Sequence, residues 1–307
     1  MRFAIHTLVF YGLDTLKLMV ENTGAYVDKI YLSHSAIPWS AYNAGARGQY
    51  RSEVDKSMVE SLPFKEKIVW LEGVWSSEED QRNHSLEQAR VDGMDYMIIQ
   101  DSDEFYIPES FLANLSGIEA NPNYPVYRCP WTVFWKSLNY VIQVREHEGE
   151  RGVTVTTCPN FAVNVRMHDV KFVSRRLVNR MDQTYTLSGL CLHLAWILSD
   201  EEVLQKIQTW GHSHQFDYKK WYQQKWLAWQ PGTRYIGHIT RANYLMAVPF
   251  IGSLPRELNN FPVKKQVVRP LTLIEEFDSL VKDYYSLFVV KSNMLKNKLV
   301  QIFRQSK

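Results

Sequence analysis

From Arg2 to Ile99 the chain alternates between two hydrophobic periods, and no other feature limits its fold as much. Arg2–Phe10 predicts a strand, Gly12 a turn, and Asp14 a cap for a helix carrying Leu16, Met19 and Val20. Lys29–Ser33 and Lys67–Leu71 read as further strands. Ser76 and Glu79 have capping-box spacing, and the helix they start sets Leu86, Ala89 and Arg90 on one side and stops near Gly93. Tyr96-Met97-Ile98-Ile99 is then a short apolar run, as expected of a strand buried on both faces. Strand–helix–strand order of this kind predicts a mostly parallel α/β sheet covered by helices.

Beyond Asn121 the pattern changes. Pro122, Pro125, Pro130 and Pro159, with the alternation of Val153-Thr154-Val155-Thr156, predict short strands and loops up to Ser188. Ser199-Asp200-Glu201-Glu202 is a second capping box, followed by Val203, Ile207 and Trp210 on one helix face and a stop at Gly211. From Leu271 the pattern is helical to the end, and after Asp283 every charged residue is basic. We therefore expect a catalytic domain over 1–245 and a C-terminal helical extension over 246–307. Docking on the body or packing in a homo-oligomer is the preferred reading of that extension. Peripheral membrane contact through 284–307 is the alternative.

Composition sets limits on function. With 35 Lys+Arg against 33 Asp+Glu in 307 residues, no overall field attracts nucleic acid, and 45% hydrophobic residues exclude a disordered chain. Cys129, Cys158 and Cys191 form neither a disulfide framework nor a CxxC pair, which fits a reducing, cytoplasmic setting. The N-terminal apolar stretch is interrupted by His6 and Thr7 and reads as a strand, not a signal peptide. No apolar run reaches the length of a membrane span.

The chemistry concentrates at Gln100-Asp101-Ser102-Asp103-Glu104-Phe105, directly after the buried run. In open α/β sheets ligands bind beyond the carboxyl ends of the strands. If the backbone stays extended through Ser102, Asp101 and Asp103 face one side. Two such oxygen donors suit Mg²⁺ or Mn²⁺, which would neutralise a departing diphosphate. A solvated acidic turn is the plainer alternative, but three acids abutting a buried strand are costly unless something pairs with them.

Two blocks carry a family resemblance. Arg82-Asn83, then Gly93-Met94-Asp95 and the run to Phe105, resemble the corresponding stretch of GT-A-fold glycosyltransferases of the broad family 2-like group. Leu192-His193-Leu194-Ala195-Trp196, with Lys206-Ile207 and His212, is similar to a His-x-x-Trp … Lys … His pattern of the family 17-like group. The chain departs from many relatives at Gln100, where they carry an apolar residue. The resemblance implies a Rossmann-like GT-A sheet and a nucleotide-sugar donor, a UDP-sugar first. It implies a metal held by Asp101, Asp103 and His193, and donor contacts from Arg82, Asn83, Lys206 and His212. An inverting transferase needs a base, for which Asp200, Glu201 and Glu104 are the candidates.

Other readings remain open at this point. His193 between two leucines also suits a core histidine, Lys206 an exposed solubilising residue, and Asp200 a helix N-terminal acid. Arg175-Arg176, with Arg180, form a basic cluster that would balance phosphate charge or simply sit in solvent. The aromatic segment around Trp221, Trp226 and Trp229 suits either core or a sugar-stacking groove. A saccharide is the favoured acceptor. The rivals are a base hydroxyl of nucleic acid, a non-catalytic nucleotide- or carbohydrate-binding module, and a haloacid-dehalogenase-type phosphatase. The phosphatase would carry Thr where Glu104-Phe105 stand.

Overall fold

The computed structural model describes residues 1–40, 49–145, 153–209, 217–237, 244–275, 277 and 280–281. β1 (Phe3–Val9), α1 (Leu13–Thr23), β2 (Lys29–Ser35), β3 (Ile68–Gly73), α2 (Glu78–Val91) and β4 (Tyr96–Ile99) reproduce the alternation expected from the sequence. Next come β5 (Glu104–Tyr106), α3 (Pro108–Ala120), β6 (Val126–Arg128), β7 (Trp131–Trp135), β8 (Ser137–Arg145), β9 (Val153–Thr154) and β10 (Asn160–Asn164). The described chain continues through β11 (Phe172–Ser174), β12 (Leu177–Val178), β13 (Thr184–Thr186) and β14 (Cys191–Trp196). After these lie α4 (Asp200–Thr209), α5 (Tyr218–Trp221) with a π-helical continuation over Tyr222–Leu227, and β15 (Tyr244–Pro249).

Seven strands form a mixed sheet in the order β13-β6-β10-β4-β1-β2-β3. β3, β2, β1 and β4 are parallel, and β10 enters antiparallel beside β4. Alternate residues face opposite layers. Ile5 and Ile98 pack with Leu16, Met19 and Phe111 of α1 and α3, whereas Ala4, Met97 and Ile99 pack with Leu86 and Ala89 of α2. This is the helix-covered, Rossmann-like mixed α/β sheet expected from the sequence.

A second sheet runs β15-β8-β7-β14-β5, with β9 attached to β8. Its far face carries the aromatic segment, and Trp135, Trp196, Trp221, Trp226 and Trp229 are packed into one buried cluster. Those three tryptophans of the 218–229 stretch are therefore core, each worth on the order of the 1.5–3 kcal/mol of a large buried apolar side chain.

Local details differ from the expectation. The N-cap of α1 is Gly12, in the left-handed region at φ 87°, and Asp14 instead accepts from Lys264 Nζ at 2.8 Å. Ser77 rather than Ser76 caps α2, its Oγ accepting from Asp80 N. The box at α4 forms reciprocally: Ser199 Oγ accepts from Glu202 N, and Glu202 accepts from Ser199 N at 2.6 Å. β15 spans position 245, and residues 250–269 run back along the body, with Leu258 in the core and Gln266 donating to the carbonyls of Lys136 and Leu198. The basic segment 284–307 lies outside the described residues. Among the described residues no helix is long and apolar enough to cross a membrane.

Candidate active site

The acidic motif is a turn, not an extension of β4: Glu104 N donates to the Asp101 carbonyl at 3.1 Å. Gln100 fixes it. Fully buried, its side-chain oxygen accepts from Thr23 Oγ1 at 3.0 Å and its Nε2 donates to the Glu104 carbonyl at 2.9 Å. Gly12 presses against the turn from α1, where a Cβ would stand 3.0 Å from Ser102 Oγ. Because the backbone turns at Ser102, the two aspartates receive different partners.

Asp101 faces arginines. Oδ1 accepts from Arg82 at 3.2 Å and Oδ2 pairs with Arg176 at 2.8 Å. Burial alone would raise its carboxyl, but Arg176 and Arg82 outweigh that and hold it well below the usual carboxylate range. Arg82, itself buried, is also gripped by Glu78 through Nε and Nη2. Arg176 comes from the two-residue turn between β11 and β12, where Arg175 adopts φ 52°. Its guanidinium also pairs with Glu104 and lies 5.0 Å over the Trp131 ring.

Asp103 faces His193 and Lys206. His193 Nε2 is 3.2 Å from Oδ1, and Lys206 Nζ is 3.5 Å from Oδ2 while donating to the Ala195 carbonyl. The sheet explains this meeting of distant residues: β14 lies between β5 and β7, placing His193 opposite Glu104, and Leu194 N donates to the Asp103 carbonyl at 2.7 Å. Burial keeps His193 below its ordinary value against the pull of Asp103, and its ring stacks on Trp131 at 4.1 Å. Burial tends to raise Asp103, but His193 and Lys206 hold it well below the carboxylate range.

One ligand atom from each of Asp103, Glu104 and His193 lies within 4.8 Å of the others. A carboxylate held well below its usual range beside an imidazole whose Nδ1 is buried without a partner is a donor set that fits Mn²⁺ or a related divalent ion. Asp101 is not in that group, since both its oxygens are taken by arginines.

Arg82, Asp101, Asp103, Glu104, His193 and Lys206 are thus brought together. Asn83 is not among them: its amide ties the backbone of Phe172 at 2.9 and 2.8 Å, joining α2 to β11. Asp200 is also elsewhere, accepting from Trp226 Nε1 at 2.7 Å and Val267 N at 2.6 Å. His212 lies outside the described residues. Glu104 is 1% exposed, so it stands behind the aspartates and serves as the anchor of Arg176; burial pushes its carboxyl up to about 8 against the pull of that arginine.

A cavity of about 1070 Å³ opens on this cluster beyond the carboxyl ends of β1, β2 and β4. Its walls include Phe10, Tyr11, Trp131 and Arg128, which sequence reasoning did not single out. A lone aromatic at a strand end or an arginine in a three-residue strand carries no periodic signal.

No family model matches the chain, and no curated protein matches it. Among solved structures it is similar to CMP:2-keto-3-deoxy-manno-octonic acid synthetase, at 13% identity and a TM-score of 0.39 over 68% of this chain and 97% of that one. It is similar to S. aureus TarS 1-349 in complex with UDP-GlcNAc at 10% identity and 0.40, over 74% and 72% of the two chains. Against 4-diphosphocytidyl-2C-methyl-D-erythritol synthase from Anaerococcus prevotii the values are 12% and 0.37, over 61% and 87%. Likenesses this distant say nothing of what this chain binds.

Proposed function

We propose that the chain is a divalent-metal-dependent glycosyltransferase. It moves a sugar from a nucleoside diphosphate sugar, a UDP-sugar first, to a saccharide hydroxyl with inversion. The observation that carries this reading is the meeting, at one cavity beyond the carboxyl ends of parallel strands, of the Asp103–His193 pair with Arg82, Arg176 and Lys206. Asp103 and His193 would hold the ion, which supplies Lewis-acid stabilisation of the diphosphate. Lys206 and Arg176 border the same space and add fixed positive charge where the leaving group develops its own. Asp101 holds Arg82 and Arg176 in place. The acceptor hydroxyl attacks the anomeric carbon and loses its proton to solvent, and the electron pair of the broken bond goes to the diphosphate.

One observation favours a metal-free variant of this chemistry: Arg82, Arg176 and Lys206 already line the cavity with fixed positive charge. Calorimetric titration of UDP and other nucleoside diphosphates, with Mn²⁺ or with chelator, tests both. Metal-dependent binding lost in Asp103→Asn supports the first reading. Binding indifferent to chelator supports the second. No binding of any nucleotide to the folded chain overturns both.

A further inference from the structure

The cavity is basic on balance, and its wall extends to Arg128 of β6. Among the described residues its walls carry Arg82, Arg128, Arg175, Arg176 and Lys206 against the carboxylates Glu78, Asp101 and Asp103. Arg82 is matched by Glu78 and Asp101, Arg176 by Asp101 and Glu104, and Lys206 by Asp103. Arg128 is not matched by an acid. Its Nε donates to the Cys158 carbonyl at 2.6 Å, and among the described residues its two Nη atoms have neither a hydrogen bond nor an ion pair.

The fold fixes the strand end that carries that guanidinium. Arg128 ends β6 and is in register with Asn160 of β10, whose Nδ2 donates to the Arg176 carbonyl at 2.7 Å. The same tie holds the Arg175–Arg176 turn at this end of the cavity. Thr156 and Thr157 line the same cavity, and the Thr157 backbone is bonded both ways to Trp131. A guanidinium pre-set by one backbone bond, with its outer fork open on the cavity, is suited to bidentate recognition of a phosphate or carboxylate.

We infer that this end of the cavity binds an anionic group of the acceptor, so that the transferase acts on a negatively charged saccharide, with Arg128 as its specificity-determining residue. The inference rests on the glycosyltransferase reading for the word acceptor; the anion site itself stands on Arg128 and its surroundings. The diphosphate would occupy the side of Arg82, Arg176 and Lys206, leaving Arg128 to the second substrate.

Matched probes test it on the full chain, free and saturated with UDP and Mn²⁺: glucose, glucose 6-phosphate and glucuronate, titrated by calorimetry. An anionic probe should bind about tenfold more tightly than glucose, the scale of a charge-assisted hydrogen bond. Preference for the 6-phosphate alone identifies a phosphoryl group, and equal preference for glucuronate a carboxylate. The advantage should shrink on going from ~50 to ~500 mM salt. It should vanish in Arg128→Gln and weaken in Thr156→Val, with UDP affinity unchanged. Arg128→Lys, which keeps the charge, should retain part of it, and that variant reports on the site even if the glutamine variant misfolds. Equal binding of all three probes, or an advantage that survives Arg128→Gln, overturns the site. Failure of UDP to bind while the free chain still prefers the anion overturns the transferase reading alone.

Discussion

Arg176 lies 2.8 Å from Asp101 and also pairs with the buried Glu104, so a hairpin turn from the later half of the chain neutralises the acidic motif. Removing the guanidinium would strand Glu104 without a partner. Glu104, pushed up to about 8, stays protonated near neutral pH and Asp101 keeps Arg82, so Arg176→Ala should destabilise the fold by about 1–3 kcal/mol, the cost of leaving a buried polar group without its hydrogen bond. Arg176→Met with Glu104→Met should recover much of that loss, because no buried polar group is left without a partner. Denaturant unfolding of the two variants checks it; a loss under about 1 kcal/mol for the single change would show that the pair is not structural.

Asp103 and His193 make a different prediction, read on the metal. His193→Ala should weaken Mn²⁺ binding by at least the 10–100-fold that losing even a supporting contact costs. Asn83→Ala should leave Mn²⁺ affinity unchanged, because its amide only ties Phe172. Titration of the free-ion electron paramagnetic resonance signal separates the two. Equal affinity of His193→Ala and the unaltered chain would remove His193 from the ion's ligands.

Much of this arrangement is legible along the chain, and the reason is periodicity. β1, β2, β3 and β4 each announce themselves as apolar runs between turn signals, and the Ser199–Glu202 box sits where its spacing puts it. What is not legible depends on backbone direction at single residues. Extended geometry through Ser102 would have aimed both aspartates at one ion, but the turn pinned by Gln100 sends Asp101 to the arginines. Asp200 looks catalytic by its place near His193 in the sequence, yet Trp226 and Val267 occupy its two oxygens, and neither partner is near it in the chain. The antiparallel entry of β10, which brings Asn160 and Arg128 side by side, has no local sequence signal at all.

Lys136 gives the pH dependence. It sits in the left-handed region at φ 61° between β7 and β8, with Nζ 4.2 Å over the Trp226 ring. Burial lowers it to about 8, opposed by Asp200. The unfolded chain, with its lysine near 10.5, then binds more protons than the native one between those values, so this group adds stability as pH rises from about 8 to 10.5. Buried tyrosines and thiols with raised values, such as Tyr127 and Cys129, act in the opposite direction over the same range. The difference between the unaltered chain and Lys136→Met isolates the lysine. Relative to Lys136→Met, the unaltered chain should gain stability across that interval in melting curves, and parallel curves would mean that Lys136 titrates like a solvated amine.

Gly12 and Gly93 test whether strain or position matters at the acidic turn. Both have positive φ, 87° and 66°, and an alanine at either would cost about 1–2 kcal/mol for the left-handed backbone. Their surroundings differ. At Gly93 the added methyl meets only the end of Arg2, at 3.3 Å, which can swing aside toward solvent. At Gly12 it meets Ser102 Oγ at 3.0 Å and Thr15 Oγ1 at 3.1 Å, and Ser102 stands between the two aspartates. Both variants should therefore lose similar stability, but only Gly12→Ala should also lose nucleotide and Mn²⁺ affinity, because it displaces the turn that sets Asp101 and Asp103 apart. Melting curves and calorimetry on the same two preparations decide the matter: matched stability with matched binding would show that the turn tolerates the push, and that Gly12 is there only for its backbone.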